Sequence, residues 1–348
     1  MPANLRVLRR RRTSVVSTQK ITKAMELIAA SRIGKAQARM RASQPYAEQL
    51  TRALSALAST SNLEHPLLHE REEPKTAAIL VVTSDRGLAG GYSSNAIKAA
   101  NELAELLQEQ GKEPKLYLIG RKGVTYYRFR NRPIEAEWTG FSEQPHYPHA
   151  RDVGEALVRA FMTDAEETVE GPESSVDLRD DSRIDDAAVR GQVRVSESRA
   201  AQGGDALAGD TTTSGALQGV DELHIVYTEF VNMVTQRAVA KRIAPLVVEE
   251  STEAPPAGYL PEYEFEPDPE TLLESLLPQY VTSRLYAALL EASASESAAR
   301  QRAMAAASDN ADELIKGYTR QINQARRAVI TQELSEIVGG ADALAASR

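Results

Sequence analysis

The chain has 348 residues, 26% of them charged, a formal net charge of −8 and no cysteine. Disulfides, thiolate nucleophiles and thiol-based redox control are thereby excluded, and an acidic balance with a pI near 5.4 offers no global basic field to nucleic acid. No apolar run approaches the roughly 20 residues that span a bilayer, and the first arginines lead into TSVVSTQK without an apolar h-region, so the expectation is a soluble, intracellular protein that meets a membrane only through partners.

Residues 3–59 carry no proline before Pro45 and a single glycine, Gly34, and predict one long helix, which at about 1.5 Å per residue reaches roughly 80 Å. From Ile33 onward, Ala36, Met40, Ser43, Ala47, Leu50, Leu54 and Leu57 follow in alternating steps of three and four, the spacing of a coiled-coil seam. Met25 and Ile28 do not fit that frame, which predicts a register shift near Ala29, and Pro45 predicts a bend. The basic residues crowd here: Arg6, Arg9 to Arg12, Lys20, Lys23, Arg32, Lys35, Arg39 and Arg41. On a helix they form either a solvated face or a surface for an acidic partner.

The middle alternates. AAILVVTS (77–84) reads as a buried strand, 95–110 as an amphipathic helix, KLYLIG (115–120) as a strand, GVTYYRFR and 151–162 as helices, and ELHIVYTEF (222–230) and RIAPLVV (242–248) as strands. Strands alternating with helices indicate an α/β layer with partly parallel pairing. Between them, 168–219 is filled with Asp, Ser, Gly, Thr and Ala and shows no sustained period. Too few bulky apolar residues offset the ordering entropy, which predicts a disordered, acidic and dispensable insert.

A second long helix is expected over 270–338, capped by Asp268 ahead of Pro269, kinked at Pro278 and ended by Gly339–Gly340. Its stretch 287–307 is rich in alanine and serine, and Ile315, Tyr318, Ile322, Ala325 and Val329 repeat the three-four step. The two terminal helices are therefore expected to pair antiparallel as a slim shaft over 1–60 and 268–348, with an α/β domain formed by 74–165 and 220–266. The expected fold class is α/β, a long antiparallel coiled coil joined to a central Rossmann-like domain.

No residue set describes a catalyst. SDRGLAGGYSSN (84–95) is a glycine-rich turn between strand and helix, the setting of a phosphate cradle. The chain nevertheless lacks both G-x-x-x-x-G-K-[ST] and G-x-G-x-x-G, so the glycines are read as turn formers. His65, His69, His146, His149 and His224 show no metal-ligand spacing on a helix, and no G-x-S-x-G elbow is present. Further cations lie on the second helix at Arg300, Arg302, Lys316, Arg320, Arg326 and Arg327. Basic faces on two paired helices suit an axle in an acidic collar, because an exposed ion pair contributes only ~0–1 kcal/mol and can guide without gluing.

Five motifs in order then carry a resemblance: ITKAMELIAASRI (21–33), SDRGLAGG (84–91), YEFEPDP (263–269), ARQRAMAAASDNA (299–311) and ITQELSEIVGGADA (330–343). The chain resembles the gamma subunit of the F-type, proton-translocating ATP synthase of bacterial type, over nearly all its length except the insert. The resemblance implies a non-catalytic, cofactor-free central-stalk rotor on the cytoplasmic side of the cell membrane. It would couple proton flow through the c-ring to ATP synthesis on the alpha and beta subunits, with epsilon bound at the globular end. It also implies beta-subunit contacts at Met25, Arg300, Arg326, Arg327, Thr331 and Glu333, Arg327 standing where the family usually has glutamine. Tyr263 and Glu264 would form the foot facing the c-ring and epsilon. An α/β enzyme built on the glycine-rich turn and a coiled-coil scaffold are the rival readings.

Overall fold

The computed structural model describes residues 2–60, 65–68, 70–71, 73–163, 168–169, 211–213, 217–246 and 268–346. In chain order the elements are α1 (Pro2–Thr60), a 3-10 turn (Pro66–Leu68), β1 (Thr76–Val82), α2 (Tyr92–Glu109), β2 (Glu113–Ile119), α3 (Arg121–Phe129), β3 (Ala136–Trp138), α4 (Tyr147–Met162), β4 (Thr168–Val169), β5 (Thr211–Thr213), β6 (Leu217–Gln218), β7 (Glu222–Phe230), β8 (Gln236–Ala244) and α5 (Pro269–Ala346). They form two compact units: Ala36–Gly87 with Gly91–Glu296, and Met1–Lys35 with Leu88–Gly90 and Ser297–Arg348. The boundaries fall inside both long helices, at about residues 35 and 297, rather than at the expected 60 and 268.

The larger unit is built on a six-stranded sheet of order β5-β3-β2-β1-β7-β8, in which β3, β2, β1 and β7 are parallel and the two edges antiparallel. β1 is buried on both faces, and its alternation separates two layers. Ala77, Ile79 and Val81 pack with Ile97, Ala100 and Leu107 of α2 and Val124 and Tyr127 of α3. Ala78, Leu80 and Val82 share the opposite core with Val153, Leu157 and Phe161 of α4, Leu277, Val281, Leu285 and Leu289 of α5, and Leu57 of α1. The first turns of α5 thus belong to the α/β core instead of a separate shaft. Asp268 caps α5, accepting from the Thr271 amide at 3.0 Å and the Thr271 hydroxyl at 2.9 Å.

Several local expectations are corrected. The last sheet strand is Gln236–Ala244, not 242–248, because Pro245 has no N–H for the ladder and the charged alternation of QRAVAKR hides a half-exposed edge strand. β3 is too short to register as a pattern. Pro45 and Pro278 both lie inside continuous helices, and Pro45 is exposed. α5 also continues past Gly339–Gly340 to Ala346. Within the insert, β4 pairs with β6 (Thr168↔Gln218) and β5 pairs with β3 (Thr213↔Ala136), so both described ends form strands. Residues 170–210, which carry most of the disorder expectation, lie outside the described residues.

In the smaller unit α1 and α5 pair antiparallel. Gln19 donates to Asp312 at 2.6 Å and Thr22 shares a 2.7 Å hydrogen bond with Ser308. The α1 positions Val15, Gln19, Thr22, Glu26, Ala29 and Ile33 are buried or half-buried in unbroken steps of four and three, so there is no register shift near Ala29. The frame was hidden because Gln19, Thr22 and Glu26 occupy seam positions, while the bulky Ile21, Leu27 and Ile28 are 60%, 64% and 53% exposed. On α5, Met304, Ser308 and Ala311 are buried and Ile315, Tyr318, Ile322, Ala325 and Val329 half-buried, as the spacing predicts.

Candidate functional site

The start of the glycine-rich turn is tied to the neighbouring loops by hydrogen bonds. The Asp85 carboxylate accepts the Arg121 amide at the start of α3 (3.1 Å) and the Ser142 amide (2.9 Å), and the Ser142 hydroxyl accepts the Asp85 amide at 2.9 Å. The Ser84 amide and hydroxyl both meet the Ser93 hydroxyl, at 3.2 and 2.7 Å, and the Gly123 amide donates to Thr83 Oγ1 at 2.9 Å. A carboxylate of the chain therefore stands where an anionic ligand would meet the α3 N-terminus. Glycine is required beside it at Gly120, whose φ is +93° and where a Cβ would lie 2.2 Å from the Thr83 carbonyl oxygen.

The histidines serve packing and capping. His146 caps α4, with the His149 ring accepting the His146 amide at 3.1 Å, and His149 stacks on Phe141 at 4.4 Å. Burial, then the neighbouring His146, push His149 down to about 4. The His224 ring Nε2 donates to the Glu222 carboxylate at 3.0 Å, and Lys112 donates to the same carboxylate at 2.8 Å. Burial opposes ionisation of Glu222, but its bonds from Lys112 and His224 prevail and hold the carboxyl below its ordinary range. Among the described residues no group of three or more His, Asp or Glu is placed to hold a metal ion. A polar device that pattern reading missed is Asp221, 4% exposed. Its carboxylate accepts from Arg71 (2.7 Å), the Lys75 and Thr76 amides (2.7 and 2.8 Å) and the Thr76 hydroxyl (3.0 Å), tying the segment after the insert to the start of β1.

The remaining chemistry is surface charge on the helix pair. Arg6, Arg9 to Arg12, Lys20 and Lys23 on α1, and Arg302, Lys316, Arg320, Arg326 and Arg327 on α5, are exposed. Met25 is half-buried beside the seam. Every residue from Thr331 to Val338 is exposed, so Thr331 and Glu333 stand on an open stretch of α5 just beyond Arg326 and Arg327. Arg300 departs from this set: it is 6% exposed, on the inward side of α5. Tyr263 and Glu264 lie outside the described residues.

A Rossmann-like α/β fold in one unit, and in the other an antiparallel pair of long terminal helices with exposed cations, define the class: an α/β protein with a terminal antiparallel helix pair. Known proteins narrow it. The family profile described as ATP synthase matches residues 4–344. The chain is 54% identical over 345 residues to the ATP synthase gamma chain of Parafrankia sp. and 52% identical over 345 residues to that of Saccharopolyspora erythraea, covering 99% of this chain and 99% of the relative in each case. Its fold matches a chain of the Euglena gracilis mitochondrial ATP synthase solved with OSCP, F1 and the c-ring, at a TM-score of 0.60 and 15% identity over 100% of this chain and 96% of that one. The chain belongs to the ATP synthase gamma-chain family.

Proposed function

We propose that this chain is the central-stalk rotor of a proton-translocating ATP synthase and carries out no bond chemistry itself. The observation that carries the reading is the antiparallel pairing of α1 with α5 together with the exposed stretch 331–338 towards the end of α5. Such an end can stand inside a ring of alternating alpha and beta subunits and touch each in turn. As the shaft turns, its contacts favour different conformations of successive beta subunits, so coupling arises from differential contact. The proposed beta-subunit contacts are Met25, Arg326, Arg327, Thr331 and Glu333, with Arg300 supporting α5 from within. Exposed cations suit this task because each pair is worth at most ~1 kcal/mol and breaks readily on rotation.

Tyr263 and Glu264 are proposed to face the c-ring and the epsilon subunit. The chain would then reach the cytoplasmic side of the cell membrane through those partners. Among the described residues no helix is long and apolar enough to cross a membrane. Affinity purification from cells expressing the tagged chain tests the assignment: alpha, beta, epsilon and c subunits are expected in fixed stoichiometry. Recovery of the chain alone, or only with copies of itself, would favour a scaffold instead.

A further inference from the structure

Within the larger unit, α4 and the turn that precedes it meet α5 through three contacts of different kinds. Gly154 of α4 approaches α5 so closely that a Cβ there would lie 2.7 Å from Thr282 Oγ1. The rings of Tyr147 and Tyr286 stand edge to face, 5.6 Å between centroids. The Ser293 hydroxyl donates to the Glu143 carbonyl at 2.6 Å. Together they run antiparallel along three turns of α5, from Thr282 to Ser293. Between them, Val153 and Leu157 of α4 and Leu285 and Leu289 of α5 share the core that holds β1.

Apolar burial is non-directional, so leucines resist rolling of a helix only through the fit of their shapes, and directional contacts add a separate constraint. A close approach at Gly154, where a Cβ would press on the Thr282 hydroxyl, an edge-to-face ring pair and a short hydrogen bond each fix position and angle. We propose that the Gly154–Thr282, Tyr147–Tyr286 and Glu143–Ser293 contacts are the torque-bearing lock that stops α5 from rolling against the α/β domain. These are positioning residues, and the inference rests on the rotor reading above.

The test uses an ATP synthase complex assembled with this chain, its catalytic ring fixed to glass. A bead is held through a biotin-acceptor peptide inserted at the exposed Gly111 turn, and its angular variance is recorded without nucleotide. Tyr286→Ala with Ser293→Ala removes two of the three contacts; if the three share the load additively, the variance rises roughly two- to three-fold, while ATP hydrolysis by the ring is unchanged. The chain has no cysteine, so Gly154→Cys with Thr282→Cys introduces a unique pair within disulfide reach. Its oxidation in the loosened variant is expected to restore the wild-type variance, and its reduction to release it again. Should the double variant fail to assemble, Ser293→Ala alone deletes one hydrogen bond and is expected to give an intermediate broadening. Unchanged variance in the loosened variants overturns the lock but leaves the rotor. Beads that never turn when ATP is hydrolysed overturn the rotor reading and this proposal with it.

Discussion

At the scale of residues, the strongest stabilising device is a carboxylate that sequence patterning gives no reason to select. Asp221 satisfies four donors, two of them backbone amides at the start of β1. Asp221→Ala leaves those donors and the Arg71 charge without their acceptor, and should lower stability by about 3 kcal/mol. Urea unfolding is expected to show a lower midpoint at constant slope, and an unchanged midpoint would show that water replaces the carboxylate. His149 makes a prediction of opposite origin. Its folded pKa of about 4 lies below the ordinary 6.5, so the unfolded chain takes up a proton that the folded chain refuses. Its stabilising contribution is complete above pH 6.5 and declines as pH falls towards 4. Urea midpoints measured between pH 7 and 4.5 should fall, and His149→Gln should flatten part of that slope.

At the scale of elements, the helix pair was legible from Ile33 onward because small and apolar residues alternate there in threes and fours. Before Ile33 it was illegible, because Gln19, Thr22 and Glu26 hold seam positions and the bulky residues face outward. The seam there closes by hydrogen bonds across the helices, which a hydrophobic count cannot register. Thr22→Cys with Ser308→Cys should form a disulfide in the purified chain on mild oxidation, since the two hydroxyl oxygens stand 2.7 Å apart. A gel shift reversed by reductant checks it, and no shift would refute the register. The insert is closed at its base by the β4–β6 pair, while β5 extends the main sheet next to β3. Deleting 171–209 spares all three strands. It should leave the circular dichroism spectrum and the unfolding midpoint of the folded units unchanged, and ATP synthesis and hydrolysis by the assembled enzyme with it. Faster hydrolysis with intact synthesis would show instead that the acidic segment brakes rotation.

At the scale of the whole molecule, the glycine-rich turn bears on whether the chain handles nucleotides. Its amides at Ser84 and Asp85 are already bonded to Ser93 and Ser142, its Asp85 carboxylate is taken up by the Arg121 amide of α3, and no P-loop lysine follows Gly91. Isothermal titration of the purified chain with ATP should give no heat of binding at micromolar concentrations. Saturable micromolar binding would return the enzyme reading to contention. In the assembled enzyme, Arg326→Ala with Arg327→Ala should slow rotation several-fold without preventing assembly, because each exposed pair carries at most ~1 kcal/mol. Loss of assembly would mean that these cations anchor the shaft instead of guiding it.

The sequence by itself determined the two long helices, the alternating α/β middle, the Asp268 cap and the family motifs. All of these rest on local spacing, on backbone chemistry or on ordered residue runs. Tertiary structure decided what depends on partners distant in the chain. It buried Arg300, left Thr331 and Glu333 exposed, and drew the first turns of α5 into the sheet's core. It also exposed Ile21, Leu27 and Ile28 while burying Thr22. Burial is set by which surface a residue meets across the fold, and a polar side chain whose hydrogen bond is met there can occupy the seam that its own chemistry would assign to leucine.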